Sequence, residues 1–176
     1  MRHSLLLLAV SLAALAVAWS GRGGDAAPAG DRVGRVGRVA RVARVARVVD
    51  GDTIVVALAG RAERVRYIGI DTPESVKPGT PVQCFAHKAA AENARLVAHE
   101  RVRLVLDVEA RDRFGRLLAY VYRVRDGLFV NAALVRGGFA RTLTIPPNVR
   151  FADRFRDLAA QARRAGRGLW NACGSA

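Results

Sequence analysis

The chain predicts an α+β domain that is mainly β, a five-stranded closed barrel carrying three helices. Three observations lead there. Runs rich in β-branched residues recur with turn residues between them, one amphipathic helical stretch interrupts the runs, and two more follow. A chain of 176 residues suits one such domain with a short appendage, and it has enough Val, Leu, Ile, Phe and Ala to bury a core.

Residues 1–18 stand ahead of the fold. Arg2 gives a short positive start, Leu5 to Ala18 is apolar except for Ser11, and Ala16-Val17-Ala18 has a small-x-small cleavage pattern. The run is short for a spanning helix. It reads as a signal peptide cut after Ala18, with an uncleaved membrane anchor as the alternative. Residues 19–40 read as a low-complexity basic linker, in which Arg-Val-Gly and then Arg-Val-Ala triplets begin at Arg32 and run on to Arg47. A period of three fits neither a strand nor a helix. The last copies are therefore expected to enter a first strand ending at Val49, and the early ones to stay outside the fold. The repeat is either a basic arm that gathers polyanions or a trace of codon-run slippage.

The domain itself is expected over residues 41–171, with 172–176 as a tail. Residues 53–58 and 64–70 predict two strands around an Ala59-Gly60-Arg61 turn, and residues 101–108 and 117–124 predict two more. Between these pairs, residues 85–98 predict a helix with Phe85, Ala89 and Leu96 near one face. Residues 130–136 predict a short helix ended by Gly137. Phe151, Phe155, Leu158, Ala159 and Ala162 fall on one face of a third helix, with Asn148 as its cap and Gly166 as its stop. That face assigns both phenylalanines to the core instead of to base stacking. Strands with helices inserted and appended fit a small barrel of the OB type.

The formal net charge is +14, and Lys77 and Lys88 are the only lysines among the basic residues. Arginine is the better fork for phosphate oxygens, so the composition points to polyanions held by salt-sensitive contacts. Cys84 and Cys173 are the two cysteines, and in an oxidising compartment an even pair reads as one disulfide. Closing so long a loop is worth roughly 4 kcal/mol on chain entropy. No Cys/His spacing fits zinc: His3 falls in the signal segment, and His87 and His99 stand alone.

Asp50-Gly51-Asp52 taken alone is turn chemistry. Its meaning changes with Asp71-Thr72-Pro73-Glu74 at the exit of a later strand. Pro73 biases Thr72 towards an extended conformation that presents its carbonyl. Asp52, Asp71 and the Thr72 carbonyl form a hard oxygen set, short of the six to eight oxygens that calcium takes, so water and phosphate would complete it. Arg66, expected on the same strand as Asp71, and Arg116, after an Asp112-Arg113-Phe114-Gly115 turn, can stabilise charge on a phosphate in its transition state. Glu74 is placed to orient or deprotonate an attacking water.

These residues carry a likeness. Val49-Asp50-Gly51-Asp52-Thr53, Arg66 with Ile70-Asp71-Thr72-Pro73-Glu74, and Asp112-x-x-Gly115-Arg116 with Leu118-Ala119-Tyr120-Val121 resemble the staphylococcal nuclease family. Asn131-x-x-Leu134-Val135-Arg136-x-Gly138 and Gly168-Leu169-Trp170 extend it. The resemblance implies an OB-type barrel with three helices and a calcium-dependent endonuclease acting on DNA and RNA. Cleavage of the 5′ P–O bond would leave 3′-phosphate ends. It implies Asp52, Asp71 and Thr72 on calcium, Glu74 as base, Arg66 and Arg116 on phosphate, and Asp50 as an acid behind the metal ligands.

The chain departs from the family's founding member where that enzyme has nucleotide-contacting tyrosines. Here the segment reads Thr142-Leu143-Thr144-Ile145-Pro146-Pro147, and the turn ahead of Gly115 carries Arg113-Phe114. Competing readings are a silent nucleic-acid-binding OB module on the cell envelope and an envelope adhesin that uses the basic arm. The nuclease reading makes the protein a secreted monomer with no stable protein partner.

Overall fold

The computed structural model describes residues 40–75, 79 and 81–174. The expected signal segment, all of the expected linker but its last residue, residues 76–78 and 80 of the loop after Ser75, and residues 175–176 lie outside the described residues. The strands are β1 (Ala40–Val48), β2 (Thr53–Leu58), β3 (Arg61–Tyr67), β4 (Ile70–Asp71), β5 (Arg101–Val105), β6 (Leu117–Arg123) and β7 (Arg141–Thr142). The helices are α1 (Ala86–Val97), α2 (Val130–Arg136), α3 (Ala152–Arg164) and the short α4 (Leu169–Ala172).

Five strands close a barrel in the order β1-β2-β3-β6-β5, and β4 pairs with β7 in a separate two-stranded sheet. The barrel is antiparallel except where β3 runs parallel to β6, pairing Val65 with Leu117 and Tyr67 with Ala119. Alternate residues point inward, so Val45, Ile54, Val56, Val65, Val102 and Leu104 fill the interior. Leu58 pairs with Arg61, leaving Ala59 and Gly60 as a two-residue loop with both φ values positive, the geometry that matches strand twist in a hairpin. Tyr120, Phe129, Phe151 and Phe155 pack ring to ring where α2 and α3 cover β6. Both phenylalanines of the third helical segment are therefore core, as their periodicity requires.

Two local expectations change. The strand expected at 64–70 is broken, and Arg66 and Asp71 are not on one strand. The chain turns at Gly69, whose φ is +81°, and a Cβ there would lie 2.4 Å from the Phe155 ring. Ile70 and Asp71 then join β7, opposite Thr142 and Arg141. Asn148 does not cap α3: the residue before Ala152 is Phe151, with no side-chain cap bond. Instead the Asn148 amide brackets the backbone of one residue, accepting from Glu109 N–H at 2.8 Å and donating to Glu109 O at 2.9 Å. Gly166 does follow the helix end, with φ +56°. Cys84 and Cys173 are bridged, with Cα atoms 5.8 Å apart across 89 residues of sequence. The bridge fastens the entry of α1 to the last helix.

Candidate active site

The turn between β1 and β2 is fastened from three sides. Val49 N–H and Asp50 N–H both donate to Thr53 O, at 2.9 and 3.3 Å. Asp50 Oδ1 accepts the Asp52 N–H at 3.0 Å, a side-chain closure typical of aspartate in turns. From α1, Asn93 donates through Nδ2 to Asp50 O at 2.8 Å and accepts the Tyr67 hydroxyl at 3.0 Å. Gly51 is needed here for space. A Cβ on it would lie 2.7 to 2.8 Å from Thr72 Oγ1, Cβ and Cγ2, so the turn and the Asp71–Thr72 segment pack backbone against side chain.

Asp52 is 4% exposed and holds that packing together. Its Oδ2 accepts both the Thr72 N–H at 2.7 Å and the Thr72 hydroxyl at 2.9 Å. Its Oδ1 accepts the Thr53 hydroxyl at 3.1 Å and faces Arg66 Nε at 3.1 Å. Arg66 is itself clamped. Nη1 donates to Tyr67 O and Ile70 O, each at 2.8 Å, and Nη2 meets Asp71 Oδ1 at 2.7 Å. One guanidinium thus fixes the chain reversal at Gly69 and ties two carboxylates together. Four of its five N–H groups have partners, leaving one Nη2 hydrogen for a ligand.

Arg116 is the opposite case. Its Nε donates to Asp112 Oδ2 at 2.7 Å, while Asp112 Oδ1 accepts the backbone N–H groups of Phe114 and Arg116. Burial is the largest single influence and pushes the Asp112 carboxyl up, but the bonds from Arg116 and Phe114 and the Arg116 charge together hold it below its usual range. Among the described residues neither Nη of Arg116 has a hydrogen-bond or ion-pair partner. Glu74 is half-buried, and its backbone is bonded at both ends to Gln83, through Gln83 Oε1 at 2.9 Å and Gln83 N–H at 3.0 Å.

Asp50, Asp52, Arg66, Asp71, Thr72, Glu74 and Arg116 all line one pocket of about 60 Å³. The structure therefore brings together every residue that the sequence singled out for chemistry. The carboxylates crowd one another. Burial, and then the Asp52 charge, push Asp50 up to about 6. Burial also raises Asp71, with Asp52 and Glu74 adding to the rise and Arg66 opposing it. Such crowding favours a cation. The donors lining the pocket are hard oxygens, with no sulfur or imidazole among them, which suits a hard divalent ion. Among the described residues no three His, Cys, Asp or Glu side chains are grouped to hold a metal by themselves. A cation here would draw part of its shell from Thr72, water and a ligand.

The family model of staphylococcal nuclease homologues matches residues 64–172. The thermonuclease of Staphylococcus intermedius is 46% identical over 117 residues, covering 66% of this chain and 66% of that protein. The thermonuclease of Staphylococcus hyicus is 38% identical over 124 residues, covering 70% and 72%. The SPbeta prophage-derived endonuclease YokF of Bacillus subtilis is 39% identical over 125 residues, covering 70% of this chain but 42% of its own length. The chain belongs to the staphylococcal nuclease family.

It is thus a nuclease-family hydrolase, and a wider cleft adjoins its acidic pocket. That cleft, about 540 Å³, shares Arg66 and Arg116 with the pocket and is walled by Phe114, Leu118, Leu143 and Ile145. Sequence reading missed four residues that position the nuclease site: Asn93, Tyr67, Gln83 and Arg141. An asparagine with 0% exposure inside a helix is the one signal that burial patterning could have flagged. Arg141 faces Asp71 across the β4–β7 pair, a pairing that only the tertiary structure supplies.

Proposed function

We propose that this chain is an exported, calcium-dependent endonuclease that hydrolyses phosphodiester bonds in DNA and RNA at the 5′ P–O bond, leaving 3′-phosphate ends. The observation that carries the reading is one small pocket holding two carboxylates for a hard cation, a further glutamate, and an arginine fork with open Nη groups. Calcium held by Asp52, Asp71 and the Thr72 carbonyl would supply positive charge to the phosphate oxygens.

The chain's own residues do the rest. Arg116 places two N–H-bearing nitrogens where charge gathers on the equatorial phosphate oxygens, and the remaining Nη2 hydrogen of Arg66 adds a third donor. Glu74 takes a hydrogen bond from the attacking water and receives its proton as the oxygen–phosphorus bond forms. The 5′ oxygen leaves with the electron pair of its bond to phosphorus and is protonated from solvent. Asp52, anchored by Thr53, Thr72 and Arg66, supplies no proton and keeps the pocket in shape. Asp50 lies behind it and fixes the turn.

Export is part of the proposal. The apolar run of residues 5–18 supports it, as does the Cys84–Cys173 bridge, a bond that persists in oxidising compartments. Digestion of plasmid DNA by the mature chain, with calcium against chelator, tests the reaction. Intact DNA at every calcium level would remove the proposal, and Glu74→Gln should abolish most cleavage while sparing binding. A mass spectrum of the culture medium reads both the cleavage point after Ala18 and the disulfide.

A further inference from the structure

The outer face of the barrel carries charge that the pocket does not use. On β1, Arg44 stands directly opposite Arg101 of β5, a like-charged cross-strand pair. One row further, Arg47 of β1 and Arg64 of β3 flank Val55. All four arginines are exposed, and alternation puts them on the side opposite the inward Val45, Val65 and Val102. Among the described residues none of the four is in an ion pair, whereas Arg95, Arg111, Arg125 and Arg156 each sit against a carboxylate. Like charges directly opposite one another destabilise a sheet. Among the described residues no carboxylate neutralises this face of arginines around small residues such as Ala57 and Ala62, which leaves it open to an outside anion.

The face is continuous with the pocket. Arg64 precedes Arg66 by two residues on β3, which places it on the same side of the strand about 7 Å away. An open groove of about 530 Å³, lined by Ala62, Arg64, Phe114, Gly115 and Arg116, joins the two regions. We propose that the outer face of β1, β2, β3 and β5 is a second binding surface for a nucleic-acid strand, on which Arg64, Arg47, Arg44 and Arg101 carry the phosphodiester backbone away from the scissile phosphate. The inference rests on the phosphodiester-substrate reading above. It adds a prediction that reading lacks: long strands should be gripped far better than short ones, by arginines remote from the chemistry.

The test uses the three arginines farthest from the pocket. In chelator, a long fluorescent oligothymidylate is titrated by anisotropy at several salt concentrations with the parent chain, with Arg44→Gln/Arg47→Gln/Arg101→Gln, and with Arg95→Gln/Arg156→Gln/Arg164→Gln. The last variant removes the same charge elsewhere. The first triple variant should flatten the slope of log affinity against log salt by about 0.7 for each phosphate no longer neutralised, about 2 in all, and the second should leave it unchanged. With calcium, the first triple variant should raise KM for long DNA and keep kcat/KM for a dinucleotide. Equal slopes for parent and first variant, or equal flattening in both variants, overturn the proposal. So does loss of binding to phosphatidylserine vesicles with DNA binding intact, which would assign the face to membranes. If the first triple variant folds poorly, Arg44→Gln and Arg101→Gln alone each relieve the like-charged pair, should melt no lower than the parent, and should each lower the slope by about 0.7. Failure of the nuclease reading would show as no cleavage with calcium, and it leaves the salt slopes free to decide this surface.

Discussion

The acidic pocket and the cleft beside it share two arginines and little else. In the pocket, both oxygens of Asp52 are engaged, the turn below is pinned by Asn93, and Gly51 leaves no room for a side chain. In the cleft, Phe114, Leu143 and Ile145 are 67%, 38% and 59% exposed and come from the Asp112–Arg116 turn and the stretch after β7. The pocket is closed by bonds between elements distant in sequence, while the cleft has a buried floor of Tyr67 and Ile70 and a rim of these three exposed side chains. Chemistry needs positions fixed to a fraction of an ångström, and a grip on a long flexible substrate does not. The same difference appears within the shared pair. Arg66 is spent on structure, and Arg116 is held by one nitrogen with the rest of its fork open.

Four experiments break or sharpen that contrast. The largest effect is expected from Arg116→Gln, which should lower kcat on DNA roughly 10²- to 10³-fold, the usual loss for one donor to transition-state charge. Because only its bond to Asp112 and its contact with the exposed Phe114 ring would go, thermal melting should move little, and a collapse of the fold would contradict the open-fork assignment. Gly51→Ala tests the rigidity of the pocket. Overlap with Thr72 should cost about 1–3 kcal/mol of stability and raise the calcium concentration needed for half-maximal cleavage.

Asp50→Asn reads the carboxylate crowding through pH. With Asp50 raised to about 6 from an ordinary 3.8, its neutral form favours the fold, and that contribution is complete below pH 4 and lost as pH rises through 6. In chelator the variant should therefore melt higher than the parent at pH 7, by the equivalent of roughly 2 kcal/mol, and alike at pH 3.5. Equal melting at both pH values would dismiss the crowding. The smallest effect belongs to the cleft. Ile145→Tyr should lower KM a few-fold by giving a base a ring to stack on, with kcat unchanged. A change in kcat there would show that the two regions are coupled more tightly than their packing indicates.

Much of the protein was legible in its sequence because the relevant physics is local. Alternating apolar residues set the strands, the spacing of Phe151 through Ala162 set α3, and Ala59-Gly60 marked the hairpin. The residue types of the pocket could also be read, since hard oxygens and guanidinium groups have narrow uses. Other features were hidden. Gly69 looked like part of a strand, and only the tertiary structure shows a turn there, with the Phe155 ring, 86 positions later, leaving no room for a Cβ. Asn148 looked like a helix cap because capping asparagines and those that bracket a residue's backbone are the same in sequence.

Sequence by itself determined the barrel strands in outline, the three longer helices, the family and the chemical inventory: acids and arginines in a fixed order along the chain. The tertiary structure decided how each one is employed. Asp52 meets Thr72 across 20 residues and Cys84 meets Cys173 across 89, and no local pattern encodes such encounters. They arise because the folded chain brings element ends together, and around Asp52 burial makes every unmatched polar group costly and so dictates which donors the acid must take.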